Sequence, residues 1–228
     1  MKKYFAELIG TCVLVFMGCG TAMLVGCDPA SGGYALTALA FGLSVVAMAY
    51  CVGNISGGHF NAAVTLAMLL KKKISGKDAA FYWIFQLVGA FLATGLLAAI
   101  FGASGVKDAT GAFGSNGLAG VNGSIEAGII VEIVLTFIFV LTILGVTSEK
   151  FNHGSFGGLI IGLTLTFVHI FGIGLTGTSV NPSRSIAPAV VAAMTGNSEP
   201  LSVLWIFIAG PLAGAAIAAL VYHCLEKE

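Results

Sequence analysis

A chain of 228 residues that is 57% hydrophobic and only 9% charged lies far outside soluble composition, in which about a quarter of residues carry charge. Its formal net charge is zero, so it has no basic footprint for nucleic acid. The apolar runs are continuous rather than alternating, which excludes a membrane β-barrel and predicts an all-α membrane protein.

A helix needs roughly 20 residues to cross about 30 Å of hydrocarbon. Six runs reach that length: 4–26, 35–55, 79–101, 125–147, 155–174 and 201–224. The first opens as MKKYFAELIGTCVLVFMGC, outwardly like a lipoprotein leader ending at Cys19. Glu7 breaks its apolar core early and the rest of the chain is equally apolar, so it reads as a spanning helix. After the second run comes NISGGHF, then a short apolar piece, NAAVTLAMLL (61–70), closed by Lys71, Lys72 and Lys73. Ser75 and Asp78 form a capping pattern ahead of the third run. The fourth run carries Glu132 and the fifth His169. A second short piece, NPSRSIAPAVVAAM (181–194), precedes the sixth run, whose first turn suits Pro200.

Basic residues set the orientation. With the N-terminus inside, the cytoplasmic face holds Lys2, Lys3, Lys71, Lys72, Lys73, Lys77, Lys150 and Lys227, and the outer face only Lys107. That bias predicts an even number of spans with both termini cytoplasmic. The two short pieces cannot span, and lengths of about 10–14 residues suit re-entrant half-helices. The first then dips from the cytoplasmic face and the second from the outside. The 32 glycines suit close helix packing in lipid. Cys12, Cys19, Cys27, Cys51 and Cys224 show no metal or redox spacing and read as small buried hydrophobes.

A shift of 120 residues lays FGLSVVAMAYCVGNISGGHFNAAVTLA (41–67) on IGLTLTFVHIFGIGLTGTSVNPSRSIA (161–187). Identities fall at Gly42/Gly162, Leu43/Leu163, Gly57/Gly177, Asn61/Asn181 and Ala67/Ala187, and Ser56/Thr176 keeps a hydroxyl. Two halves of a single domain, about 1–105 and 120–228, would each hold three spans and one half-helix, with Glu7 and Glu132 recurring in the first span of each. An odd number of spans per half makes the repeat inverted, an arrangement that builds a site near the bilayer centre. Irregular backbone at that depth must be buried in protein or bathed by water. Arg184, a fixed charge in an apolar segment, must likewise line water or be paired.

SGGHFNAAV (56–64) and TSVNPSRS (178–185) resemble the paired Asn-Pro-Ala boxes of the aquaporin (major intrinsic protein) family. The likeness extends over essentially the whole chain and is greatest to the family's bacterial, water-selective type. It implies six transmembrane helices and two re-entrant half-helices enclosing a pore, in a homotetramer in the plasma (inner) membrane. By motif offset it assigns a selectivity filter to Phe41, His169, Thr178 and Arg184, and paired half-helix caps to Asn61 and Asn181. Backbone carbonyls of Gly57, Gly58, His59 and Phe60, and of Gly177, Thr178, Ser179 and Val180, would line the pore. Glu7 and Glu132 would anchor the loops by accepting their N–H groups. The implied function is passive water conduction with exclusion of protons and ions.

The alternatives are a glycerol or small neutral solute facilitator, an ion-coupled carrier, and a closed scaffold. Glycerol-type relatives usually place an acid after the arginine, where this chain has Ser185. No activated nucleophile, metal cluster or phosphate loop is evident, so neither enzyme activity nor a cofactor is expected. The first box departs from the pattern, with Ala62 in place of the usual proline. The expectation is that conduction survives and that the central constriction becomes slightly more adaptable.

Overall fold

The computed structural model describes residues 1–27, 32–148 and 154–226. Lys150, His153 and Lys227 lie outside them. Among the described residues six helices are long and apolar enough to cross a membrane: α1 (Lys2–Val25), α2 (Gly33–Cys51), α5 (Gly76–Ser104), α6 (Ile125–Val146), α7 (Gly157–Thr176) and α10 (Ile206–Leu225). Between them lie α3 (Gly53–Ser56), the half-helices α4 (Ala62–Leu70) and α8 (Pro182–Met194), and α9 (Glu199–Ser202). No strand occurs among the described residues.

Three boundaries differ from the sequence reading. The second span stops at Cys51, because Val52 leaves helical geometry and Gly57, at φ 90°, ends the short α3. The third span starts earlier and runs on to Ser104, where Gly105 adopts a left-handed cap. Its start is fixed as expected, with Ser75 Oγ accepting from Asp78 N at 3.1 Å. Pro200 opens not the sixth span but the separate α9; the span itself begins at Ile206. The cysteines differ too. Only Cys19 is buried, while Cys51 and Cys224 are exposed on apolar helices, because small side chains are as much at ease against lipid as in a core.

Glycines set the three principal crossings. A Cβ on Gly42 would lie 2.5 Å from the Gly162 carbonyl, and one on Gly162 would lie 2.6 Å from that of Gly42, so α2 and α7 touch backbone to backbone. Gly89 brings α5 onto the Leu8 carbonyl of α1, and Gly214 brings α10 onto the Ile133 carbonyl of α6. In lipid no hydrophobic effect drives helices together, so such contacts, with their dispersion energy, carry the association. Large side chains such as Leu24, Ile84, Leu96, Phe167 and Phe171 stay exposed on the outer surface, as lipid contact requires.

Both half-helices start where the sequence places them. Asn61 and Asn181 are their N-caps, with extended backbones at φ −156° and −155°. Each asparagine oxygen accepts from two orphan N–H groups: Ala63 and Val64 in one case, Ser183 and Arg184 in the other.

Candidate permeation site

The half-helices meet through their caps. Asn61 Nδ2 donates to the Val180 carbonyl at 2.7 Å, and Asn181 Nδ2 donates to that of Phe60 at 2.9 Å. A side-chain amide has two N–H donors, so each asparagine keeps a second one after cross-linking the loops.

The loops have matching backbones. Gly57, Gly58 and Phe60 have positive φ, and so do Gly177, Thr178 and Val180. For the β-branched Thr178 and Val180, at φ 47° and 46°, this is a strained conformation worth about 1–3 kcal/mol each. Two buried carboxylates hold it in place. Glu7 accepts from His59 N at 2.9 Å, Phe60 N at 2.7 Å, Ser56 Oγ at 2.7 Å and Gln86 Nε2 at 2.7 Å. Glu132 accepts from Ser179 N at 2.9 Å, Val180 N at 2.9 Å and Thr176 Oγ1 at 2.7 Å. In a planar trans peptide the carbonyl points opposite the following N–H. The carbonyls of Gly58, His59, Thr178 and Ser179 are therefore turned away from the acids. Those of Phe60 and Val180 already accept from the opposite asparagine, and Gly177's accepts from Arg184 Nη2 at 3.5 Å.

Pro211 has a related effect. Lacking an N–H, it cannot bond the Phe207 carbonyl four residues back. That carbonyl is left without its helical donor, and Ser179 Oγ of the second loop lies 3.4 Å from it.

A cavity of about 40 Å³ runs beside these loops, from His59 and Gly57 past Asn61 and Asn181 to Phe41, His169 and Arg184. A single water takes roughly 10–15 Å³ by the same measure, so the cavity has room for only a few waters. Leu14, Val45, Val64, Phe139, Ile143 and Leu165 form its apolar wall. At the His59 end it meets a vestibule of about 470 Å³, which His59, Gly57, Met68 and Thr147 also line. Lys3, Lys71, Lys73 and Glu226 surround that vestibule, so residues near both ends of the chain share one face, as an even number of spans requires. Lys71 is paired with Glu226, and Lys3 with Asp78 at 2.8 Å.

At the other end three side chains close on one another. The rings of Phe41 and His169 stack with centroids 4.4 Å apart, and the Arg184 guanidinium lies 4.9 Å above the Phe41 ring. Gly18 leaves room for the Phe41 ring. His169 Nδ1 lies 2.9 Å from the Leu165 carbonyl and donates to it, so Nε2 is the acceptor; it and Arg184 Nε are buried without a protein partner. Thr178 takes part differently. Its hydroxyl is turned toward Gly172, where a Cβ would sit 2.4 Å from it, and is buried without a hydrogen-bond partner.

A profile of the major intrinsic protein family matches residues 1–222. The chain belongs to the major intrinsic protein family. Members of this family are channels, not enzymes. The chain is 43% identical to Aquaporin Z of Brucella melitensis biotype 1, over 99% of this chain and 98% of that protein. It is 39% identical to glycerol uptake facilitator protein-like 6 of Lactiplantibacillus plantarum over the full length of both. Its fold matches an aquaglyceroporin from Plasmodium falciparum with a TM-score of 0.88 at 24% identity, covering 97% of this chain and 94% of that one. It is thus a multi-pass membrane protein with the aquaporin fold.

Some residues of the site had escaped the sequence reading. Gln86, a lone amide in an apolar span, donates to Glu7 and to Thr65 Oγ1 at 3.0 Å, and its polarity in that setting was a usable signal. Asn116, in the outer connection, accepts from Arg184 Nη1 at 2.7 Å; no repeat partner or periodicity marks it. Trp83 Nε1 donates to the Ala62 carbonyl at 3.1 Å, bracing the half-helix that lacks a starting proline.

Proposed function

We propose that this family member is a passive water channel that excludes protons and ions. The observation carrying the proposal is the closure at Phe41, His169 and Arg184, all 2% exposed or less, at the end of a cavity of only about 40 Å³. Water passing there would donate to His169 Nε2 and accept from Arg184 Nε, two buried polar atoms left without protein partners. Carbonyls of Gly58, His59, Thr178 and Ser179 would supply acceptors along the path. Asn61 and Asn181 would offer their second N–H groups at its centre, where two half-helix N-termini each contribute roughly +0.5 charge. That field, together with Arg184, repels cations and orients waters so that a proton cannot hop through. Glu7 and Glu132 serve as structural anchors of the strained loops.

The two halves, about 1–105 and 120–228, form an inverted repeat in one channel domain. We place the protein in the plasma (inner) membrane as a homotetramer of separate pores, with both termini cytoplasmic.

A second reading is conduction of glycerol or another small neutral solute. The apolar wall formed by Leu14, Val45, Val64 and Phe139 would accommodate a carbon backbone, and one relative bears a glycerol facilitator's name. Osmotic swelling of proteoliposomes, with water and glycerol compared, separates the two readings. Fast water entry with glycerol excluded is expected, and Arg184→Ala should weaken the exclusion while keeping the water flux. Swelling no faster than that of empty liposomes would sink both readings.

A further inference from the structure

We propose that Asn116 is the positioning residue that holds Arg184 across the pore, and that its being neutral sets the solute and charge selectivity of the outer constriction. This rests on the channel reading and deepens it. Asn116 Oδ1 accepts from Arg184 Nη1 at 2.7 Å and from Ser185 Oγ at 2.8 Å, which uses both of its lone pairs. Its Nδ2 donates to the Thr176 carbonyl at 3.2 Å, beside a second bond from Gly117 N to the same oxygen. Asn116, Arg184 and Ser185 are 3%, 2% and 1% exposed. The side chain therefore has no freedom of its own: each of its atoms is fixed by a partner.

The connection carrying Asn116 is built to hold it there. Asp108 accepts from Thr110 N, Thr110 Oγ1 and Phe113 N, and Thr110 Oγ1 accepts from Gly114 N. Phe113 packs against the main core, and Asn197 Nδ2 ties Gly111 to the region after α8. A loop knotted in this way delivers an acceptor to the guanidinium with the precision of a helix.

The chemistry of that acceptor matters as much as its place. Arg184 is hydrogen-bonded to the Asn116 amide oxygen and the Gly177 carbonyl, both neutral. Among the described residues no carboxylate bonds it, since Glu132 is engaged by Thr176, Ser179 and Val180. The charge is thus oriented without being cancelled. A planar guanidinium held at one end by Asn116 and covering the Phe41 ring leaves its Nε without a protein partner, available to a permeant.

Arg184 is the only arginine in the chain, so a small dicarbonyl reagent such as methylglyoxal reads its freedom as the adduct on the one arginine-containing peptide, resolved from lysine and cysteine adducts by peptide mass. Asn116→Leu keeps the branched shape, in a somewhat larger side chain, and removes the acceptor. Loss of a hydrogen bond to a charged group corresponds to labelling about tenfold faster, and in proteoliposomes the glycerol-to-water permeability ratio should rise. Asn116→Asp keeps the shape and the acceptor but adds a charge, so labelling should slow while cation leak under an imposed voltage increases. If Asn116→Leu does not fold, Asn116→Asp still tests the clamp. The proposal is overturned if labelling in both variants matches the parent protein. It is equally overturned if both merely lose stability and water flux together, with selectivity unchanged, as a purely structural residue would. A parent protein that fails to conduct water would remove the channel reading, and the labelling rates would still decide the clamp.

Discussion

Substituting proline for Ala62 probes how the first half-helix manages without one. A residue preceding proline is confined to φ of about −120 ± 40° and ψ of roughly +120 to +160°. Asn61 already sits at φ −156° and ψ 127°, so no backbone shift is required. Proline also lacks the N–H, but Asn61 Oδ1 accepts from Ala63 and Val64, and among the described residues Ala62 N donates no hydrogen bond. The bond from Trp83 Nε1 to the Ala62 carbonyl is unaffected by the change. The substitution therefore acts on the unfolded chain, stabilising the protein by about 0.4–1 kcal/mol. For a chain of this size that corresponds to roughly 1–4 °C in melting temperature. Thermal unfolding in detergent, followed by tryptophan fluorescence, measures it. Swelling assays should show an unchanged water flux and glycerol exclusion, because both asparagines are already held by equivalent bonds. A lower melting temperature would refute the reasoning, showing that the Ala62 N–H or the space around it is in use. A changed solute ratio would show instead that the missing proline does loosen the constriction.

The two buried acids should differ in their tolerance of an amide. In Glu7→Gln the new NH₂ faces two of the four donors, a loss of about 3–6 kcal/mol at roughly 1.5–3 per charge-assisted bond, whereas Glu132→Gln can keep both bonds to one oxygen and loses about half as much. Equal melting shifts for the two variants would contradict this. At the α2–α7 crossing, Gly42→Ala places a methyl 1.8 Å from Thr166 Oγ1 and 2.5 Å from the Gly162 carbonyl. It should destabilise by about 1–3 kcal/mol. Gly95→Ala, with nothing within 4 Å, should instead be neutral or stabilising by up to about 1 kcal/mol. A melting curve for Gly42→Ala that overlays the parent's would mean that the helices are not in backbone contact.

Much of the architecture is legible because bilayer physics is one-dimensional. A run's length decides whether it crosses, and lysine placement decides how many crossings there are. Asn61 and Asn181 announced the half-helix starts because a cap is a local event, decided within three residues. Span ends were less legible. Cys51 and Ile206 mark breaks in stretches that remain apolar, and hydropathy does not register a change of backbone direction. Pro200 was a correct helix-start signal attached to the wrong helix, since a short interfacial helix and a span begin with the same chemistry.

What the sequence determined by itself, then, was the membrane class, the six spans, the two half-helices and the types of residue available where they meet. Only the tertiary structure decided which atoms those residues present. It turned Thr178's hydroxyl toward Gly172, committed the Phe60 and Val180 carbonyls to the opposite asparagines, and brought Asn116 onto Arg184 across 68 positions of chain. The physical reason is that left-handed backbone and long-range hydrogen bonds depend on partners in other helices. Those partners come into reach only once the glycine crossings have brought the helices together.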